Sequence, residues 1–138
     1  MKNYNSKFEI LPHPADLKIQ AYGRTKEEVF LNMLKGMTAS QKATTLPEKV
    51  KRGIKINSPD LPSLLVDFLN EVLYLTQINK EIYNMVKFKK LSNIELEVEL
   101  QGRKVERFGE DIKAVTYHSL DVHQEKDGTW QATVLFDI

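Results

Sequence analysis

Asp111-Ile112-Lys113-Ala114-Val115-Thr116-Tyr117-His118-Ser119 admits two readings, and the choice between them sets the fold. As a short helix it carries acidic residues at its positive end and His118 near its C-terminus, both favourable to the helix dipole. As a strand it alternates, with Ile112, Ala114, Thr116 and His118 on one side. We read it as a helix and keep the strand as the rival. The flanks are clearer. Leu120 to Gln124, an Asp127-Gly128 turn and Thr129 to Phe136 form a closing hairpin. Val122 and Val134 are on its buried side, or Trp130 and Ala132 if the register differs by one. The chain stops at Asp137-Ile138.

Upstream of this stretch, Ile94-Glu95-Leu96-Glu97-Val98-Glu99-Leu100 alternates without a fault, which is a strand with one apolar and one acidic face. Gln101-Gly102-Arg103 reads as the turn that follows it, and Met85 to Phe88 as the strand before it. The clearest helix starts at Asp60, an N-cap residue, with Pro62 in the first turn where its missing amide costs nothing. Its apolar stripe is Leu61, Leu64, Leu65, Phe68, Leu69, Val72, Leu73 and Ile78, and this helix is expected to centre the core.

The first half follows the same logic. Phe8 to Leu11 is a short strand ended by Pro12 and Pro14, so residues 11–15 form a turn or an edge. Leu17, Ile19 and Ala21 alternate with Lys18, Gln20 and Tyr22 in a half-buried strand that Gly23 ends. Thr25-Lys26-Glu27-Glu28 fits a capping box, and Val29, Phe30, Met33, Leu34 and Met37 follow at helical spacing to about Ala39. Gln41 to Glu48 reads as a polar loop, and Val50 to Asn57 as a strand. The predicted order is β-β-α-β-α-β-β-α-β-β. That is an α+β fold of about three helices on one side of a mixed or antiparallel sheet, in one domain over residues 8–138. Residues 1–7 read as a frayed polar tail.

Composition narrows the function. The chain of 138 residues has no cysteine, so disulfides and thiolate metal sites are excluded. A metal would be held by carboxylates, carbonyls or the three histidines, which favours calcium or magnesium. A formal charge of +1 with 28% charged residues of mixed sign gives no bulk attraction for DNA, RNA or acidic lipid. No apolar run approaches the ~20 residues of a membrane span, and residues 1–7 lack a signal-peptide core, so the expected location is cytoplasmic.

Asp16, Asp111 and Asp137 each stand at an edge between elements. With main-chain carbonyls or the Ile138 carboxylate, they could supply oxygen ligands to a hard cation. Taken alone, the same residues are a helix N-cap at Asp111 and two exposed strand-end carboxylates. His13 and His118, each near an aspartate, could be an acid–base pair, but no serine sits in a Gly-rich elbow to serve as nucleophile. Two basic clusters, Lys87-Lys89-Lys90 and Arg103-Lys104-Arg107, are read as a solvated mixed surface beside Glu95, Glu97 and Glu99. A metal-dependent hydrolase and an RNA-binding module are therefore the alternatives that the residues leave open.

The chain also resembles the archease family along nearly its whole length. The resemblance is carried by His13-Pro14-Ala15-Asp16, similar to the family's H-T-A-D start, and by Ala21-Tyr22-Gly23. It continues in Leu64-Leu65-Val66-Asp67-Phe68-Leu69-Asn70-Glu71-Val72-Leu73-Tyr74, and in Ile112-Lys113-Ala114-Val115-Thr116-Tyr117-His118 with the terminal Asp137-Ile138. The resemblance implies a cytoplasmic, non-enzymatic cofactor of an RtcB-type RNA ligase. Such a protein promotes ligase guanylylation and multiple turnover in tRNA splicing and RNA repair, and meets RNA only through the ligase. It also implies a divalent-metal site, with calcium, at Asp16, Asp111, Asp137 and Ile138. His13, Lys113 and His118 are the expected partner contacts. Position 14 is proline where the family has threonine, and position 111 is aspartate where glutamate is common.

Overall fold

The structure is a computed structural model that describes residues 7–11, 13 and 15–138. Residues 1–6 of the expected tail, and the Pro12 and Pro14 that end the first strand, lie outside the described residues. Among the described residues seven strands and two helices run in the order β1 (Phe8–Leu11), β2 (Asp16–Gly23), α1 (Lys26–Ser40), β3 (Thr44–Asn57), α2 (Leu61–Asn79), β4 (Glu81–Leu91), β5 (Glu95–Arg107), β6 (Ala114–Gln124) and β7 (Trp130–Asp137). The fold is α+β, as the sequence predicts.

Both helices begin where their caps say. The Thr25 side chain accepts from the Glu28 N–H at 3.1 Å, and Asp60 from the Ser63 N–H at 2.8 Å. Each cap satisfies one of the amides that a helix start leaves without an internal partner. Helix α2 buries Leu64, Leu65, Phe68, Leu69, Val72 and Leu73, and Phe68 stacks on Phe30 of α1 with ring centroids 6.0 Å apart. Ile78 departs from its predicted place in the stripe and is 61% exposed. The helix ends one residue later, at Asn79, where Lys80 turns left-handed at φ 53°.

The strands form two antiparallel sheets rather than one, ordered β1-β2-β7-β6 and β3-β5-β4. Helix α1 packs on β1, β2 and β7 of the first sheet and on β4 of the second. Helix α2 packs on β6 of the first and on β3, β4 and β5 of the second. Each helix therefore touches both sheets, and one buried cluster draws on all of them. Period-2 alternation tells which face of a strand is buried but not which strand it pairs with, and the expectation of one sheet fails there.

The expected third helix is also corrected. Residues 114–124 are one strand, β6, paired to β7 from Ala114↔Asp137 to Gln124↔Trp130 with a bulged stretch between Thr116 and Asp121. Ile112, Val115 and Thr116 are β-branched and favour extended backbone. The β7 partner completes the ladder that a nine-residue helix would otherwise have to replace internally. Ala132, Val134 and Trp130 all lie on the same face of β7, so the two registers considered for the hairpin were not true alternatives.

Two loops of the sequence reading are strand. Thr44 to Glu48 opens β3, and Gln101-Gly102-Arg103 continues β5 to Arg107. Gly102 is there for close approach, not for a turn. A Cβ at this position would lie 1.8 Å from the Ile82 carbonyl oxygen, where β4 carries a bulge between Tyr83 and Met85.

Candidate functional site

Strand β7 has β2 on one side and β6 on the other, so its last residue meets both neighbours. Asp137 is the register partner of Asp16 at the start of β2 and of Ala114 at the start of β6. Its backbone carbonyl also accepts from the Lys113 N–H at 2.7 Å. Directly opposed residues of an antiparallel pair project to the same face. The core side of β7 is taken by Ala132, Val134 and Phe136, so Asp16 and Asp137 share the other face. Two carboxylates far apart in sequence thus stand together at one end of the first sheet.

His13 meets this pair from the turn before β2, with its Nδ1 against Asp16 Oδ1. That oxygen is buried against the His13 ring, while the carboxylate as a whole keeps partial exposure. Ala15 between them is left-handed at φ 66°, a conformation that costs a non-glycine residue about 1 kcal/mol or more. The turn therefore holds His13 and Asp16 in one orientation.

Asp111 arrives on a different device. The loop before β6 is tied to the end of α1: Gly109 N–H donates to the Gln41 and Lys42 carbonyls at 3.1 Å each, and Glu110 N–H to the Gln41 carbonyl at 3.0 Å. Lys42 is left-handed at φ 47°, and its Nζ is 3.8 Å from Glu110 Oε1. Asp111 and Ile138 are exposed, and both line a cavity of ≈ 360 Å³ with Ile10, Leu17, Lys42 and Glu110. Glu110 and Lys42 are site neighbours that the sequence reading missed. Their placement rests on backbone bonds across some 70 residues of chain, which leave no local signal.

The stretch 112–117 is fastened along α2 by the polar residues of that helix. Asn70 Nδ2 donates to the Val115 carbonyl and Asn70 Oδ1 accepts from the Val115 N–H, both at 3.1 Å. Gln77 Nε2 donates to the Ile112 carbonyl at 3.0 Å. The Tyr117 hydroxyl donates to Asp67 Oδ1, and Ser58 Oγ to Asp67 Oδ2 at 2.5 Å. The bond to Asp67, then burial, pushes the Tyr117 phenol up to about 12. The open edge of β6 is thereby closed by helix side chains. Lys113 is exposed next to the acidic end of the sheet. His118 is exposed in the bulged stretch beyond Thr116, further along β6 from Asp137 than Lys113 is.

The donors at this end are carboxylate oxygens, the chemistry of a calcium or magnesium site. Asp16, held by His13, and its register mate Asp137 fit two such ligands. Among the described residues, however, no three His, Asp or Glu side chains come close enough together to enclose a metal ion. A third ligand would have to come from the Asp111 loop or the chain end.

Elsewhere, Glu81 on β4 is fully buried and receives Arg52 at 2.9 and 2.8 Å, Lys104 at 3.2 Å and the Tyr83 hydroxyl at 2.7 Å. The Arg52 hydrogen bonds, against the cost of burial, hold its carboxyl at about 2. His123 on β6 lies between Asp121 at 2.6 Å and Glu125 at 3.1 Å, which raise its imidazole above the ordinary value, Glu125 most. Among the described residues no helix is long and apolar enough to cross a membrane.

Comparison with known proteins finds relatives of the same length and fold. Residues 8–138 match the model of the Archease protein family (MTH1598/TM1083). The chain is 37% identical to the protein archease of Methanosarcina barkeri over 147 aligned positions, covering 100% of both chains. It is 31% identical to that of Pyrococcus furiosus, covering 95% of this chain and 98% of the relative. A solution structure of a Methanobacterium thermoautotrophicum protein superposes with a TM-score of 0.71 at 26% identity, over 96% of this chain and 99% of that one. A crystal structure from Thermotoga maritima, described as an archease and possible chaperone, shares the fold with a TM-score of 0.70 at 20% identity, over 93% and 94%. With a family match spanning both helices, both sheets and the acidic end, the chain belongs to the archease family.

Proposed function

We propose that this chain is a non-catalytic protein cofactor of an RtcB-type RNA ligase, which promotes ligase guanylylation and repeated turnover in tRNA splicing and RNA repair in the cytoplasm. The working surface is the acidic end of the first sheet. The observation that carries the reading is the register Asp16↔Asp137 in a chain of this family, because it joins the two most distant of the family-like segments. Asp16 and Asp137 would hold a divalent cation there, with calcium as the expected ion, and Asp111 and the Ile138 carboxylate would complete its shell by closing on the ion. A bound cation would offset part of the negative charge of these carboxylates and offer a Lewis-acid point to phosphate oxygens or partner carboxylates.

The chain's own residues do the positioning. His13 orients the Asp16 carboxylate, and the Lys113 N–H fixes the end of β7. Gln77 holds Ile112 and Asn70 holds Val115 on β6, so the Asp111 loop ends on a fixed base. Lys113 and His118, both exposed, are the side chains offered to the ligase from this strand, with His13 across the sheet.

The experiment is ligase turnover. A purified RtcB-type ligase, limiting relative to RNA ends, receives GTP and metal with or without this chain. Many turnovers with wild type and few with Asp137→Ala are expected. Equal stimulation by both would remove the acidic end from the mechanism while keeping the cofactor role. No stimulation by wild type would remove the role itself.

A further inference from the structure

The second sheet turns one face to the core and one outward. On its outward face, β5 carries Glu95, Glu97, Glu99, Gln101 and Arg103 in sequence. Its neighbours bring lysines to the acidic part: Lys55 opposite Glu97, Lys87 opposite Glu99, and Lys90 bonded to Glu95. From Gln101 to Arg103 this face of β5 has no carboxylate, while cations continue; exposed Glu48 and Glu106 lie beyond the depression's lining. Lys51 is opposite Gln101, and Lys49 is opposite Arg103. These residues line a shallow depression of ≈ 420 Å³ with Asn84 and Met85, and no carboxylate lines it. Gln101 Nε2 donates to Glu99 Oε1 at 3.1 Å, and Glu99 also feels the charges of Lys51, Lys87 and Lys89, so Lys51 is partly offset while Lys49 and Arg103 lie further along. Strand alternation also divides the basic run 103–107: Lys104 turns inward to Glu81, and Arg103 stays outside.

From this geometry we propose that the outward face of β3 and β5, at Lys49, Lys51 and Arg103, binds the phosphate backbone of single-stranded RNA. Lys49 and Lys51 are two residues apart on one strand, a repeat of about 6.6 Å, comparable to the separation of successive phosphates on an extended strand. Arg103 spends one donor on the Pro47 carbonyl at 3.2 Å and keeps the others of its planar fork for phosphate oxygens. Met85 is 49% exposed on the floor, a polarizable surface for a base, with the Asn84 and Gln101 amides beside it. The whole chain has a formal charge of +1, so this basic face is a local feature and its binding is weak and steep in salt. An open, shallow shape suits a backbone running across the sheet better than an acidic peptide needing side-chain pockets. The inference does not rest on the cofactor reading, under which RNA is met only through the ligase, and goes beyond it.

The test is anisotropy of a labelled single-stranded RNA oligonucleotide titrated with the full chain. Three phosphate contacts give a salt slope of about −2, so affinity falls about 20-fold between about 50 and about 200 mM salt. Lys51→Glu with Arg103→Glu weakens binding by about tenfold or more at low salt and flattens the slope. The milder pair Lys49→Gln with Lys51→Gln moves both in the same direction. Lys126→Glu, on the exposed β6–β7 turn, changes neither. No binding at low salt, equal binding by the paired variants, or equal weakening by Lys126→Glu would each overturn the proposal. So would binding of polyglutamate without binding of RNA, which would assign the face to an acidic protein.

Discussion

Asn70 of α2 closes both backbone groups of Val115 on β6, donating to its carbonyl and accepting from its N–H at 3.1 Å each. One side-chain amide thereby takes the place of a neighbouring strand. Val115 is 5% exposed, so water cannot readily replace the lost partner. Asn70→Ala should cost about 2 kcal/mol, two net hydrogen bonds, read as a lower urea midpoint at unchanged slope. Asn70→Asp keeps the acceptor and loses the donor, and should fall between the two. Equal stability of all three would mean that the edge of β6 needs no closing.

Glu81 makes acid sensitivity specific. Its carboxyl is held at about 2, below the ordinary 4.5, first by its hydrogen bonds from Arg52. Between those values the unfolded chain binds the proton and the folded chain does not. The stabilisation is therefore complete above about pH 4.5 and is lost as pH falls through about 2. Glu81→Gln should remove this part of the acid limb and destabilise the chain by about 1.5–3 kcal/mol at neutral pH, through lost charge-assisted hydrogen bonds from the partly exposed Arg52 and Lys104. Thermal melts from pH 2 to 7 that superpose for both chains would count against it.

The centre of the core is Leu65 and Leu69, both 0% exposed on α2. Leu65→Ala or Leu69→Ala should lose about 2–5 kcal/mol by equilibrium unfolding, through lost apolar burial and the cavity left behind. A loss below about 1 kcal/mol would show that neighbours collapse into the space.

Two glycines of the second sheet should respond in opposite ways. At Gly102 a Cβ overlaps the Ile82 carbonyl, and Gly102→Ala should destabilise by about 3 kcal/mol through forced backbone movement. At Gly53 a Cβ meets nothing within 4 Å, and Gly53→Ala should be neutral or gain about 0.5 kcal/mol by restricting the unfolded chain. A comparison of their denaturant midpoints checks both, and similar losses would contradict the close approach at Gly102.

For the acidic end, calcium should raise the melting temperature of the wild type, and a chelator should reverse the rise. At a concentration about 100 times the dissociation constant, the gain is about 2.7 kcal/mol. Asp16→Asn and Asp137→Asn should each abolish it. A calcium shift that persists in both variants would locate the ion elsewhere.

Some of the architecture was legible locally. The two helices declared themselves through Thr25 and Asp60, because a cap is a contact between residues three apart and is written in adjacent sequence. Gly102 was misread because a glycine that admits a neighbouring strand looks the same in sequence as one that makes a turn. The stretch 111–119 was misread because its pattern fits two periods at once. Only its partners, β7 on one side and Asn70 with Gln77 on the other, select the extended form. The roles of Asn70 and Gln77 were not legible either, because a side chain's partner across 45 or 35 residues leaves no trace in spacing.

By itself the sequence determined the α+β class, the core stripe of α2 and the three carboxylates at element ends, since these follow from propensity, period and burial along the chain. The tertiary structure decided that the strands divide into two sheets, and that Asp16 and Asp137 stand opposite each other. It also decided that the lysines of β3 extend past the glutamates of β5. Those are questions of pairing between strands. A strand's alternation specifies its face, while its partner and register come from packing and turn geometry summed over the whole fold.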